Sequence, residues 1–131
     1  MNGQNKRIIV GELDKFIVDT FKLDFVENQP IYIGESNLQH MKTKHPKDFE
    51  IFGSKIKEII NSPDYIAKHP RKENSAIEYI KVYENSNNEH VLVAVRATGK
   101  GTLFARTLFI MDNDKVDKYK KINALIPYRK D

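Results

Sequence analysis

His90-Val91-Leu92-Val93-Ala94-Val95-Arg96-Ala97-Thr98-Gly99-Lys100-Gly101-Thr102-Leu103-Phe104-Ala105-Arg106-Thr107-Leu108-Phe109-Ile110-Met111 is the stretch that decides the fold. Two runs rich in β-branched and aromatic residues flank a Gly-Lys-Gly turn, which predicts a β-hairpin with strands over 90–98 and 102–111. Side chains alternate across a strand. Val91, Val93, Val95 and Ala97 therefore form the buried face of the first strand. His90, Leu92, Ala94, Arg96 and Thr98 point the other way. If Thr98 pairs with Thr102 across a three-residue loop, Arg106 falls on the Arg96 face. Thr107 then joins Leu103, Ala105, Phe109 and Met111 on the apolar face. A two-residue loop would reverse that assignment.

Upstream of the hairpin, Ala76 to Glu84 is a third strand, and Asn85-Ser86-Asn87-Asn88 is its turn. Tyr65 to Lys68 is a short strand leading in. Before it lie two helices. Ser36 and Gln39 fit a capping box for a helix running to Lys44. Pro46 ends that helix, because a residue preceding proline is pushed out of the α region. Pro46 also opens the next helix. Phe49, Phe52, Ile56, Ile59 and Ile60 form one stripe along it, and Asn61-Ser62-Pro63-Asp64 stops it. Pro30 precedes a short strand, Ile31 to Ile33. For the first 27 residues two readings stay open. Arg7 to Val10 is a short strand followed by a helix over Glu12 to Phe21, or Lys15 to Phe25 is extended. Asp114 to Ile122 is a lysine-rich final helix. Helices followed by an antiparallel meander make an α+β domain, with the helices packed on one face of the sheet.

The length of 131 residues fits one domain over 1–131. With 40% hydrophobic residues and thirteen aromatics from seven Phe and six Tyr, the chain can build a single core, which excludes wholesale disorder. It has no cysteine, which excludes disulfides, zinc–thiolate sites, iron–sulfur clusters and thiol nucleophiles. No apolar run reaches the length of a membrane span. Only Ile8 to Val10 follow the polar start, short of a secretory h-region, so the expected location is a cytoplasm, the cell's own or that of a target cell.

The net charge of +4 is unevenly spread. Residues 36–72 carry eight bases against four acids and three of the four histidines, His40, His45 and His69. Residues 113–131 carry six bases against three acids. Solvated lysines on helices account for such segments, and so does a surface facing a polyanion. Tyr79, Lys81 and Tyr83 alternate on one strand face. They read either as half-buried strand residues or as a stacking surface for single-stranded RNA. Arg96 and Arg106 in mid-strand need a partner or an open groove, and ion pairs with Glu78 or Glu84 would serve. Leu38, Met41 and His45 share a helical stripe that turns His45 toward the sheet. His40 and His45 are five residues apart, a poor spacing for a shared metal, where four is needed. No metal site and no cofactor is expected.

The ordered set Leu38-Gln39-His40-Met41-Lys42-Thr43-Lys44-His45-Pro46, then Ile59-Ile60-Asn61-Ser62-Pro63-Asp64-Tyr65-Ile66, then Ala105-Arg106-Thr107 in the last strand, resembles the phage-type nuclease domains of the barnase–EndoU–colicin–RelE-like (BECR) fold. The resemblance spans about residues 28–112. It implies metal-independent RNA cleavage by attack of the 2′-hydroxyl on the adjacent phosphate. His40 and His45 are then the acid and base candidates. Arg106 and Arg96 clamp the phosphate, Thr107 or Thr98 adds a hydroxyl donor, and Lys81, Tyr79 and Tyr83 bind or stack the RNA. Such domains occur in prophages, mobile elements and polymorphic toxins, which adds an antitoxin or immunity protein as a partner class. Two other readings stay open: a nucleic-acid-binding module without the chemistry, and a protein-interaction domain of a mobile element.

Overall fold

The computed structural model describes residues 6–68, 76–84 and 87–129. The chain runs β1 (Arg7–Glu12), α1 (Lys15–Phe21), β2 (Pro30–Gly34), α2 (Glu35–Lys44), α3 (Pro46–Phe52), a 3₁₀ turn (Gly53–Lys55) and α4 (Ile56–Asn61). It continues through β3 (Tyr65–Lys68), β4 (Ala76–Tyr83), β5 (Glu89–Ala97), β6 (Leu103–Ile110), α5 (Asn113–Lys121) and β7 (Ile126–Pro127). The strands form one sheet in the order β1-β2-β6-β5-β4-β3-β7. The α+β class is as expected, and β3 to β6 are the expected antiparallel meander. The sheet as a whole is mixed, because β2 joins β6 in parallel.

The N-terminal alternatives resolve to strand then helix. Asp14 caps α1, its carboxylate accepting from the Ile17 amide at 2.9 Å. The α2 cap falls two residues before the expected Ser36. Gly34 is the N-cap, and its amide donates to Asn37 Oδ1 at 2.8 Å. The expected single helix from Pro46 to Asn61 is interrupted by the 3₁₀ turn at Gly53, where an added Cβ would sit 3.0 Å from the Phe49 ring. His69 and residues 85–86 of the predicted turn lie outside the described residues. Asn87 and Asn88 both take positive φ, which asparagine tolerates in tight turns.

One sheet face carries the main core. Ile17 of α1, Met41 of α2, Phe52 of α3 and Ile56, Ile59 and Ile60 of α4 pack against Val91, Val93, Val95, Leu103, Ala105 and Leu108. The other face is covered only in part. Val116 and Tyr119 of α5 pack on Ala67, Ile80 and Leu92, so the last helix lies opposite the first four. The N-terminal helices share one face, as expected, and α5 departs from them by taking the other. Ile80 and Leu92 made the departure necessary. They alternate with Tyr79, Val91 and Val93, and a second apolar cover was required.

The hairpin between β5 and β6 has the three-residue loop. Thr98 N donates to Thr102 O at 2.8 Å, and Gly101, at φ +86°, donates to Thr98 O at 2.9 Å. The register then slips. Ala97 faces Leu103, Arg96 faces Phe104 and Val95 faces Ala105, but Ala94 faces Thr107. Arg106 is the extra residue of a β-bulge, a feature that re-aims side chains. Past the bulge the alternation inverts: Leu108 enters the main core, and Phe109 turns to the opposite face. The expected placement of Thr107, Phe109 and Met111 with Leu103 and Ala105 is thereby corrected.

Candidate active site

β2 pairs with β6 only at Ile31–Leu103 and Tyr32–Phe104, leaving the rest of that β6 edge without a strand. α2 and α3 lie along it, and Asp48 Oδ2 accepts the Ile110 amide at 2.9 Å. A helix laid on a sheet edge reaches both faces. Met41 enters the main core, while Ser36, Asn37 and His40 line a cavity of about 540 Å³ on the opposite face. The cavity occupies the part of that face that α5 does not cover.

Its floor comes from the strand register. Glu78, Ala94 and Thr107 face one another across β4, β5 and β6, and Ala76 and Arg96 face each other in the next row. All five line the cavity, with the bulged Arg106. The two alanines leave room that larger side chains would fill. Phe109 and Lys115 close the α5 side, the Lys115 ammonium lying 4.8 Å from the Phe109 ring centre. Three cationic side chains, one histidine, one carboxyl and two hydroxyls, those of Ser36 and Thr107, therefore converge on one open cleft.

Glu78 was not singled out as a site residue from the sequence. It is 2% exposed, the only charged residue in the core among the described residues. Tyr119 donates its hydroxyl to Glu78 Oε1 at 2.7 Å. Burial pushes the Glu78 carboxyl above the usual carboxylate range, with the Tyr119 bond and the Lys115 charge acting against the shift. Burial, and then the same contact, push the Tyr119 phenol up. A glutamate inside a Ile-Glu-Tyr-Ile strand was the available signal, because a carboxyl on the sheet face opposite Tyr79 must find a donor or a cavity.

The site residues expected from the sequence divide into three groups. His40, Arg96, Arg106 and Thr107 are brought together at the cavity. Among the described residues neither arginine forms an ion pair, so the expected pairing with Glu78 or Glu84 is not made. His45 stands at the α2–α3 junction, half-buried, its ring 5.3 Å from that of Phe109. It backs the cavity wall and does not line it. Thr98 lines a neighbouring cavity, and its hydroxyl accepts from the Thr102 and Lys100 amides at 3.2 and 3.3 Å.

Tyr79, Lys81 and Tyr83 lie on the wrong face for this cleft. Tyr79 is wholly buried in the main core, so its ring is not available to stack on a base. Its hydroxyl has no hydrogen-bond partner, and burial pushes that phenol up. Tyr83 packs on Phe52 with ring centres 4.9 Å apart and donates to Glu58 at 2.5 Å. Lys81 donates to the Ser62 carbonyl at 2.7 Å. The alternation that suggested a stacking surface is the inward face of β4, closed by α4 and the turn after it.

Among the described residues no three His, Asp or Glu side chains gather as a metal-binding group. No helix there is long and apolar enough to cross a membrane.

A two-faced sheet with helices along its β6 edge, and a cationic cleft holding histidine and a buried carboxyl, are consistent with the resemblance to barnase–EndoU–colicin–RelE-type nuclease domains read from the sequence. Comparison with family models bears this out: residues 7–118 match the phage-Barnase-EndoU-ColicinE5/D-RelE like nuclease3 family, PBECR3, and the chain belongs to it. The match extends the resemblance read from residues 28–112 to include β1, α1 and part of α5. No curated protein and no solved structure matches significantly. A nuclease family implies a nucleic-acid substrate.

Proposed function

We propose that the chain is a metal-independent endoribonuclease of a phage or mobile element, cutting RNA in the cavity between His40, Glu78, Arg96 and Arg106. The observation that carries this reading is the shared lining: a buried carboxyl of raised pKa and a solvent-facing histidine flank two arginines that no acid neutralises among the described residues. The reaction needs a base, an acid and positive charge at the phosphorane.

The Glu78 carboxylate takes the 2′-hydroxyl proton. The 2′-oxygen then forms its bond to phosphorus, and the phosphorus–O5′ bond breaks. The His40 imidazolium gives its proton to the leaving O5′, and a 2′,3′-cyclic phosphate remains. A carboxyl whose pKa is raised toward neutrality is a better base than an ordinary one. Arg96 and Arg106 offer fork-shaped donors to the phosphate oxygens, and the Thr107 hydroxyl adds another. His45 acts through Phe109, as a packing residue of the cavity wall.

This RNA lies in a cytoplasm, the host's own or that of a target cell, and an antitoxin or immunity protein would restrain the activity. The test is incubation with total RNA in EDTA, followed by mapping of the new ends. Cleavage that survives EDTA and is lost in His40→Ala and Arg106→Ala supports the reading. Intact RNA across a range of pH contradicts it, and salt-dependent binding without cleavage would favour the non-catalytic alternative.

A further inference from the structure

A second cavity, of about 560 Å³, adjoins the first and shares Ser36, Asn37 and Arg106 with it. The rest of its lining comes from residues the active-site reading does not use. Lys6 and Arg7 stand at the start of β1, Gly34 and Glu35 at the start of α2, and Thr98 and Phe104 flank the β5–β6 hairpin. The Arg7 guanidinium carbon lies 4.1 Å from the Tyr32 ring centre and 5.9 Å from that of Phe104. Those two rings are themselves 5.9 Å apart. An arginine held over two aromatic rings is fixed in direction while its donors stay free, since no carboxylate pairs with it among the described residues. Arg106, exposed on its bulge, stands between the two cavities and can face a phosphate in either.

We propose that this second cavity binds the nucleotide next to the scissile phosphate. Lys6 and Arg7 hold the neighbouring phosphate while Arg106 stays on the scissile one, and the base lies against Phe104. The inference rests on the nuclease reading and deepens it. The substrate is then an unpaired chain of at least three nucleotides, because a base laid on an aromatic ring has left its own helix. A dinucleotide fills only the first cavity. Glu35, which also lines the second, disfavours a terminal phosphate with its extra negative charge and so favours an internal diester.

The experiment compares binding of uncleavable 2′-O-methyl dinucleotides and trinucleotides, alone and in Arg7→Ala and Phe104→Leu proteins whose folding is checked by thermal melting. For the unaltered protein the third nucleotide should raise affinity about tenfold, the scale of one stacked base and one phosphate. Arg7→Ala should abolish most of that gain and flatten the salt slope by about 0.7. Phe104→Leu should lower the gain while leaving the salt slope alone. A third nucleotide that adds nothing, or a gain that survives Arg7→Ala, overturns the proposal. Because these probes cannot be cut, the result stands apart from cleavage of natural RNA: absent cleavage would strike the nuclease reading, whereas an absent gain strikes only the second cavity.

Discussion

Tyr119 on α5 reaches across the partly covered face of the sheet to donate a hydroxyl hydrogen bond to Glu78 on β4, at 2.7 Å. That contact joins the last helix to the floor of the cleft, so the element that covers half the face also positions the buried carboxyl. It sets the first prediction, on stability against pH. Burial raises the Glu78 pKa in the folded state above the ordinary 4.5. A raised carboxyl contributes stability that is fully present below its unfolded pKa and is lost as pH rises through the folded value. Glu78→Gln keeps an acceptor for Tyr119 and cannot ionise. The difference in melting temperature between variant and parent should therefore shift in the variant's favour as pH rises above 4.5. A difference that stays constant with pH would contradict the account.

Tyr79→Phe removes a buried hydroxyl that has no partner. Such a group carries a desolvation cost without a hydrogen bond to offset it. Stability should hold or rise by up to about 1 kcal/mol, read by chemical denaturation. RNA affinity should not change, because the ring is sealed in the core. A fall in affinity with stability intact would restore the stacking role that the sequence suggested.

Arg106→Lys tests the bulge. Lysine keeps the charge but loses the planar fork that bridges two phosphate oxygens. Removing one preorganised donor to a developing anion costs on the order of a hundredfold in kcat. Single-turnover cleavage should fall by that order in Arg106→Lys and further in Arg106→Ala. RNA affinity should fall only modestly in the lysine variant. Equal activity of Lys and Arg at this position would mean that a point charge suffices.

His40 and His45 should separate. His40 lines the cleft, and His45 packs on Phe109. Loss of a general acid costs about a hundredfold or more. His40→Ala should therefore lose activity on that scale and flatten one limb of the pH–rate profile. His45→Phe keeps a ring against Phe109 and should retain both limbs, whereas His45→Ala should chiefly lower the melting temperature. A lost limb in His45→Phe would make His45 the proton donor.

Much of this was readable in the chain. The hairpin 90–111 announced itself by alternation and by Gly99-Lys100-Gly101, and the Pro46 break between two helices followed from proline geometry. His40, Arg96 and Arg106, which the resemblance put forward as site residues, line one cavity. Three features were hidden, each for a physical reason. The bulge at Arg106 depends on register, which is set by packing across strands, so simple alternation misplaced Thr107. The parallel pairing of β2 with β6 joins residues 31–32 to 103–104, a contact that no local pattern carries. Glu78 became a site residue only when α5 took the second face of the sheet, because its burial comes from that packing. The same partition explains Tyr79 and Tyr83: β4 was read as having a wet face, but its first five residues are all buried and Tyr83 packs on Phe52.

The central claim is that the cleft runs its chemistry through the 2′-hydroxyl. It is tested most directly on an oligoribonucleotide with one mapped cleavage site, compared in EDTA with the same chain carrying a single 2′-deoxy sugar on the 5′ side of that bond. The account predicts a 2′,3′-cyclic phosphate end from the first, seen by mass, and no cut at that position in the second. Equal cleavage of both chains, or an end without the cyclic phosphate from the earliest time point, would contradict it.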